Sequence, residues 1–219
     1  MTTARFTNFD ISCGFNNVVY VPENRDPEKK LPLVVFLHGA GERGTDPSLL
    51  SVHGPLKLIK NGWAPDFICV APQCPEGAHW NDKTEMLKVF IDLVIKEYNA
   101  DPERIYITGI SMGGFGTWAL LARWGSFFAA GVPICGGGMP WTADAICSVP
   151  VWAFHGDADG TVDVHYSRDM VKAVNSRLGQ NANAVEAKLT EYPGVDHDSW
   201  TATYESDEMW AWLLAQKKK

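Results

Sequence analysis

Basic residues are scarce in this sequence: 19 lysines and arginines stand against 26 aspartates and glutamates, a formal net charge of −7. Charges in that balance, spread along the chain, give no electrostatic grip on a phosphate backbone or an anionic lipid surface, so neither nucleic acid nor membrane is an expected partner. The one basic run, Lys217-Lys218-Lys219, reads as a solvated tail. Long apolar runs are also missing. Nowhere do about 18 apolar residues follow one another, the length a helix needs to cross a bilayer. Met1 to Asp10 lacks the basic segment and apolar core of a secretion signal. The expectation is a soluble chain, cytoplasmic or secreted with a leader or neighbouring domain removed. Cysteines number five (Cys13, Cys69, Cys74, Cys135, Cys147), with no C-x-x-C and no Cys/His cluster at zinc-ligand spacing. No structural metal is expected. The odd count leaves at least one free thiol unless chains pair, and a single bridge such as Cys69 to Cys74 or Cys135 to Cys147 stays open.

What is present is a large apolar fraction, 46% of 219 residues, enough to fill a core. Repeats, low-complexity segments and linker-like shifts in composition are lacking, so one domain over residues 1–219 is expected. Leu31 to Leu37 is a continuous apolar run stopped by His38-Gly39-Ala40-Gly41, the pattern of a strand buried on both faces. Phe67 to Ala71, Ile105 to Thr108, Ala129 to Ile134 and Val151 to Phe154 repeat it. Between them, apolar residues recur at spacings of three and four: Met86, Leu87, Phe90, Ile91, Val94 and Ile95; then Trp118, Leu120 and Leu121; then Met170, Val171, Val174 and Leu178. A short tryptophan-rich stretch, Met209 to Leu214, closes the series. Strands alternating with helices predict an α/β protein, its sheet mostly parallel and covered by helices on both faces. Asn17 to Val21 is expected to belong to an opening antiparallel hairpin.

Sites in such sheets form at the carboxyl ends of strands. There, directly after Ile105 to Thr108, stands Gly109-Ile110-Ser111-Met112-Gly113, opening a helical stretch. A serine presented on so sharp a strand-to-helix turn needs a strained backbone and small residues two places before and after it, which Gly109 and Gly113 supply. The helix that follows directs its N-terminus at the site, freeing the Met112 amide to bind an oxyanion. A serine hydroxyl is a poor nucleophile near neutral pH and needs a base, itself oriented by a carboxylate. Downstream of Ser111 only His155, His165 and His197 remain. His197 lies in the polar turn Gly194 to Trp200, after an expected strand Val185 to Tyr192, where a mobile imidazole belongs. His155 directly follows Val151 to Phe154 and reads as a loop brace; His165 stands just ahead of a helix, near the substrate. Asp157, Asp159 and Asp163 all offer a carboxylate, and spacing alone does not choose among them.

His38-Gly39-Ala40-Gly41-Glu42-Arg43-Gly44, the serine turn, His155-Gly156-x-x-Asp159-x-x-Val162 and Gly194-x-x-His197-x-x-Trp200 together resemble the α/β-hydrolase superfamily. More narrowly the chain resembles its carboxylesterase branch, described as predicted peptidases or phospholipase/carboxylesterases and similar to polyhydroxybutyrate-depolymerase-like and feruloyl-esterase-like enzymes. The likeness runs from Val19 to Leu214. It implies Ser111 as nucleophile, His197 as base and Asp159 as acid, the family's acid occupying the fourth position after the His-Gly histidine. It further implies an oxyanion hole from the amides of Ala40 and Met112, with His38 bracing the loop, and no cofactor. The activity implied is that of a serine carboxylic-ester hydrolase working through an acyl-enzyme on short-chain, aromatic or carbohydrate-linked esters. The alternatives are a serine peptidase or thioesterase with the same residues, and a non-catalytic carbohydrate-binding scaffold.

About sixteen residues separate Ile134 from Val151, too few for a helical cap domain, so an open, lidless cleft is expected. Of nine tryptophans, Trp118, Trp152, Trp210 and Trp212 fall in strand or helix patterns and belong in the core. Trp80 and Trp200 fall in loops on the catalytic side and are candidates to stack on a substrate ring. Glu42 and Arg43 share the oxyanion-side loop, where they either contact substrate or pair with each other.

Overall fold

The computed structural model describes residues 5–7, 14–23, 25–26 and 28–218. Cys13, Lys219 and most of Met1 to Asp10 lie outside them. The described chain builds one sheet of eight strands: β1 (Arg5–Thr7), β2 (Asn17–Val21), β3 (Leu31–Leu37), β4 (Ile68–Pro72), β5 (Ala100–Ile110), β6 (Ala130–Ile134), β7 (Trp152–Gly156) and β8 (Lys188–Tyr192), in the order β1-β2-β4-β3-β5-β6-β7-β8. β2 runs antiparallel to both β1 and β4, as the opening hairpin predicts, and every later pairing is parallel. Seven α-helices accompany them: α1 (Gly54–Lys60), α2 (Thr84–Glu97), α3 (Met112–Trp124), α4 (Ala143–Ile146), α5 (His165–Asn175), α6 (Trp200–Tyr204) and α7 (Asp207–Ala215).

The unbroken apolar runs follow from two cores. Along β3, Leu33, Val35 and Leu37 join the layer holding Leu87, Phe90, Trp118 and Met170, whereas Val34 and Phe36 join Leu56, Ile59, Tyr204 and Trp210 on the opposite face. Alternation sends successive residues to opposite sides, so both parities are apolar when both faces are covered. α2 buries Leu87, Phe90, Ile91 and Val94, and Met86 is left exposed at the edge of that stripe. α5 ends at Asn175, which leaves Leu178 exposed rather than on the buried face.

Two strands start three or more residues away from where the sequence suggests. β5 begins at Ala100, which pairs with Leu31 across a register shift before Ile105 meets Leu33. β8 begins at Lys188, because the Val185 amide is drawn to the Cys147 carbonyl instead. The connection from β6 to β7 holds only a 3₁₀ turn, Pro140–Thr142, and the single turn of α4, with no cap over the sheet's edge. Trp118, Trp152 and Trp210 are buried and Trp212 is partly buried against the second core. Cys69, Cys74, Cys135 and Cys147 are all free and buried, so neither bridge left open by the sequence forms. Among the described residues, no helix is long and apolar enough to cross a membrane.

Candidate active site

At the carboxyl end of β5 the chain turns through Ser111 into α3. Ser111 adopts φ 52° and ψ −118°. For a non-glycine residue such a backbone costs about 1–3 kcal/mol and persists only where its surroundings impose it. Here the Ser111 amide is held by the Ile134 carbonyl at 3.0 Å and lies 3.2 Å from Cys135 Sγ. The flanking glycines answer a steric demand: a Cβ on Gly109 would strike the Gly113 carbonyl, and one on Gly113 would strike that of Leu37. Cys135, also at positive φ (41°), supports the turn from beneath. Burial pushes its thiol up to about 12, so it stands as a neutral packing group. No sequence motif marks this cysteine.

Two further loops bring partners to Ser111. The turn after β8 carries His197, whose Nε2 is 2.9 Å from Ser111 Oγ. The loop after β7 carries Asp159, whose Oδ2 is 2.7 Å from His197 Nδ1. Asp159 Oδ1 accepts from the amides of Thr161 and Val162, each at 2.8 Å. Burial opposes the charge on Asp159, but bonds from the His197 ring and the Val162 and Thr161 amides outweigh it and hold the carboxyl below its ordinary range. The other two carboxylates are engaged elsewhere: Asp157 Oδ1 accepts from the Gly194 amide at 2.6 Å, and Asp163 Oδ1 pairs with the exposed His165 ring at 2.7 Å. His165 opens α5 and stands outside the Ser111–His197–Asp159 chain of hydrogen bonds.

The loop after β3 approaches from the other side. His38 is fully buried; its Nδ1–H donates to the Gly39 carbonyl at 2.6 Å, and its Nε2 accepts the Cys74 amide at 2.9 Å. Burial pushes its pKa down to about 4, the Gly39 bond opposing and the nearby Arg43 charge adding to that shift. His38 is the loop brace that the sequence suggests. Trp80 is not a stacking platform: its side chain is entirely buried against Gly116, and its indole N–H donates to the His38 carbonyl at 3.0 Å. The loop expected to carry it forms a 3₁₀ turn there, Trp80–Lys83, and the ring is buried. Arg43 also braces, donating to the carbonyls of Ala40 (2.9 Å) and Ala78 (3.4 Å) rather than pairing with Glu42. The Glu42 carboxylate lies 3.9 Å from both His38 Nδ1 and His53 Nε2. Trp200 packs edge-on against His197, ring centres 5.3 Å apart, and against His53 at 5.4 Å.

Ala40 and Met112 line one cleft of about 480 Å³, together with His79, Asn81, Asp82 and Phe115. Met112 is the first residue of α3, so its amide has no partner within the helix. Phe115 and Asn81 also line a neighbouring groove of about 290 Å³ that runs to Met139 and Thr142. No motif singles out Phe115, although its place four residues after Ser111 puts it about one helical turn beyond that serine. Among the described residues, no group of three or more His, Cys, Asp or Glu side chains converges to hold a metal ion.

Comparison with known proteins gives this arrangement a context. The sequence model of the prolyl oligopeptidase family matches residues 81–145, less than a third of the chain. A bifunctional acetylxylan esterase/xylanase of Neocallimastix patriciarum is 28% identical over 188 residues, covering 84% of this chain and 27% of that protein. Feruloyl esterase B of Neurospora crassa is 29% identical over 144 residues, covering 60% of this chain and 47% of its own length. The chain thus spans between about a quarter and a half of these two relatives. Among solved structures, a thermostable esterase superposes with a TM-score of 0.79 at 33% identity, covering 98% of this chain and 63% of that one.

Proposed function

We propose that this chain, an α/β-hydrolase in fold and carboxylesterase-like in its relatives, is a serine carboxylic-ester hydrolase acting on short-chain, aromatic or carbohydrate-linked esters, with residues 1–219 as one catalytic domain. The observation that carries the reading is the unbroken hydrogen-bond line from Ser111 Oγ to His197 Nε2 (2.9 Å) and from His197 Nδ1 to Asp159 Oδ2 (2.7 Å). Three residues far apart in sequence meeting in that order at a strained turn serve general-base activation of a hydroxyl. A carbohydrate-binding scaffold has no need of it.

In this reading, Ser111 Oγ attacks the ester carbonyl carbon as His197 Nε2 takes its proton. The carbonyl oxygen becomes an oxyanion directed at the Ala40 and Met112 amides, each such donor typically contributing about 3 kcal/mol in the transition state. The bond from the carbonyl carbon to the alcohol oxygen then breaks, and His197 returns the proton to that oxygen. Water, deprotonated by His197, attacks the acyl-Ser111 ester; the bond to Oγ breaks, Oγ regains the proton and the acid departs. Asp159 keeps the His197 proton on Nδ1 and stabilises the imidazolium formed at each step. Trp200, packed edge-on against His197, and Glu42, on the loop after β3, are proposed to contact the leaving alcohol.

A fluorophosphonate probe tests the assignment. It should label the native protein and not Ser111→Ala, and native protein alone should hydrolyse 4-nitrophenyl acetate. A native protein that neither labels nor turns over esters would end the proposal. The match to the prolyl oligopeptidase family favours one second reading, a peptidase using the same residues. Faster cleavage of peptide 4-nitroanilides than of 4-nitrophenyl esters would favour it.

A further inference from the structure

His155, in β7, is completely buried, and both of its ring nitrogens meet polar atoms. Nε2 lies 2.9 Å from the Val162 carbonyl and 3.2 Å from Asp159 Oδ2, the oxygen that also receives His197. A carbonyl and a carboxylate have only lone pairs to offer, so the ring carries a proton on Nε2. Nδ1 lies 2.7 Å from Ser167 Oγ in α5, and that hydroxyl is 2.9 Å from the Gly136 carbonyl.

We propose that His155 is a positioning residue for the hydrolytic reaction: its Nε2–H completes the anchoring of Asp159, and through Ser167 and Gly136 it ties the acid to the framework that holds the nucleophile. The inference rests on the triad reading above. An ionised carboxylate offers about four lone-pair sites. On Asp159, Oδ1 takes the Thr161 and Val162 amides and Oδ2 takes His197, while His155 Nε2, hydrogen-bonded to the Val162 carbonyl, stands 3.2 Å from Oδ2 as a close electrostatic contact. Among the described residues, the two side chains against Oδ2 are the imidazole it has to orient and the His155 ring. Val162 joins the two sides, its amide donating to Asp159 while its carbonyl accepts from His155. The far end of the ring reaches Gly136, which is packed so closely on α3 that a Cβ there would come 2.7 Å from the Phe115 amide. The acid is therefore referenced to the helix that Ser111 caps. The sequence carries a trace of this in the four-residue spacing of His155 and Asp159, which a tight loop brings back to one point.

Two substitutions separate the bonds. His155→Gln places an amide N–H near the Nε2 position and keeps a donor for Asp159. His155→Asn places its amide oxygen near the Nδ1 position, still able to accept the Ser167 hydroxyl, and loses the donor facing Asp159. With 4-nitrophenyl acetate, His155→Asn should lose about tenfold or more in kcat with KM moved less than about twofold, and His155→Gln should stay within about threefold of native. Equal losses in the two variants, or native kcat in His155→Asn, would overturn the proposal. Should neither variant fold, Ser167→Ala decides: it frees the far nitrogen, and should lower kcat by about threefold and displace the downfield proton resonance of His197 Nδ1–H. Unchanged kcat and resonance would refute the positioning role. Turnover retained by Asp159→Asn would overturn the triad reading itself, whatever the outcome at position 155.

Discussion

Three aspartates crowd the segment from Asp157 to Asp163, and each could serve as the acid on sequence grounds alone. Their fates differ because a carboxylate's role depends on which way it leaves the loop, which residue spacing does not encode. Asp157 fastens the turn that carries His197 by accepting the Gly194 amide, Asp163 pairs with His165 in solvent, and Asp159 alone is buried against the His197 ring. Asp159→Asn should therefore lower kcat by roughly 10³–10⁴, since an amide that can present N–H to Nδ1 favours the wrong tautomer. Asp157→Asn should cost less than about tenfold, acting only through the turn. Steady-state kinetics on one activated ester ranks them, and the reverse order would reassign the acid. The strained turn at Ser111, in contrast, was legible from the sequence, because the steric requirement at Gly109 and Gly113 is local to five residues. Cys135 and Phe115 were not, since their importance lies in what stands across from them.

Among the elements, the loop after β3 shows how a pH dependence is built in. His38 must be neutral to donate to Gly39 through Nδ1 and accept Cys74 through Nε2. Its pKa falls from 6.5 to about 4 in the folded protein. The unfolded chain binds this proton first as pH falls, so the stabilisation is complete above about pH 6.5, is lost as pH drops toward 4, and changes no further below. A shift of that size on a buried ring is on the order of 3 kcal/mol. In His38→Gln, whose side-chain carbonyl still accepts the Cys74 amide, stability should vary less across this range. Thermal midpoints at pH 7 and pH 4 check it: native protein and variant should converge at the lower pH. Parallel curves would show that another group controls the loop. Elements buried on both faces, such as β3, were legible because seven apolar residues in a row, ended by a glycine-rich turn, suit a doubly covered strand and little else. α1 and α4 were not. Their few turns carry too little periodicity, and Pro55 near the start of α1 reads equally well as loop.

For the whole molecule, the parallel sheet gathers the ends of β3, β5, β7 and β8 along one edge, and the short β6–β7 connection leaves that edge without a cap. In the proposed reaction the leaving alcohol stays within reach of His197 Nε2, which would direct the acyl arm away from His197, into the cleft lined by Ala40, Met112 and Phe115. That cleft is about 480 Å³, and Phe115, with Asn81, lines both it and the groove of about 290 Å³ leading to Met139. Phe115 is itself held edge-on by Tyr166, ring centres 5.7 Å apart, so it is a supported wall and not a free flap. Native protein should hydrolyse 4-nitrophenyl esters of about two to four carbons faster than those of twelve, because a longer chain gains no further enclosed apolar contact past the ring. Phe115→Ala removes the ring shared by the two linings and is expected to open one space to the other, and each methylene then buried is worth about 0.8 kcal/mol at most. The variant's kcat/KM should therefore rise for eight- to twelve-carbon acyl groups by about tenfold relative to acetate. A chain-length series on both proteins measures this, and an unchanged preference in the variant would place the acyl arm on the Trp200 side instead.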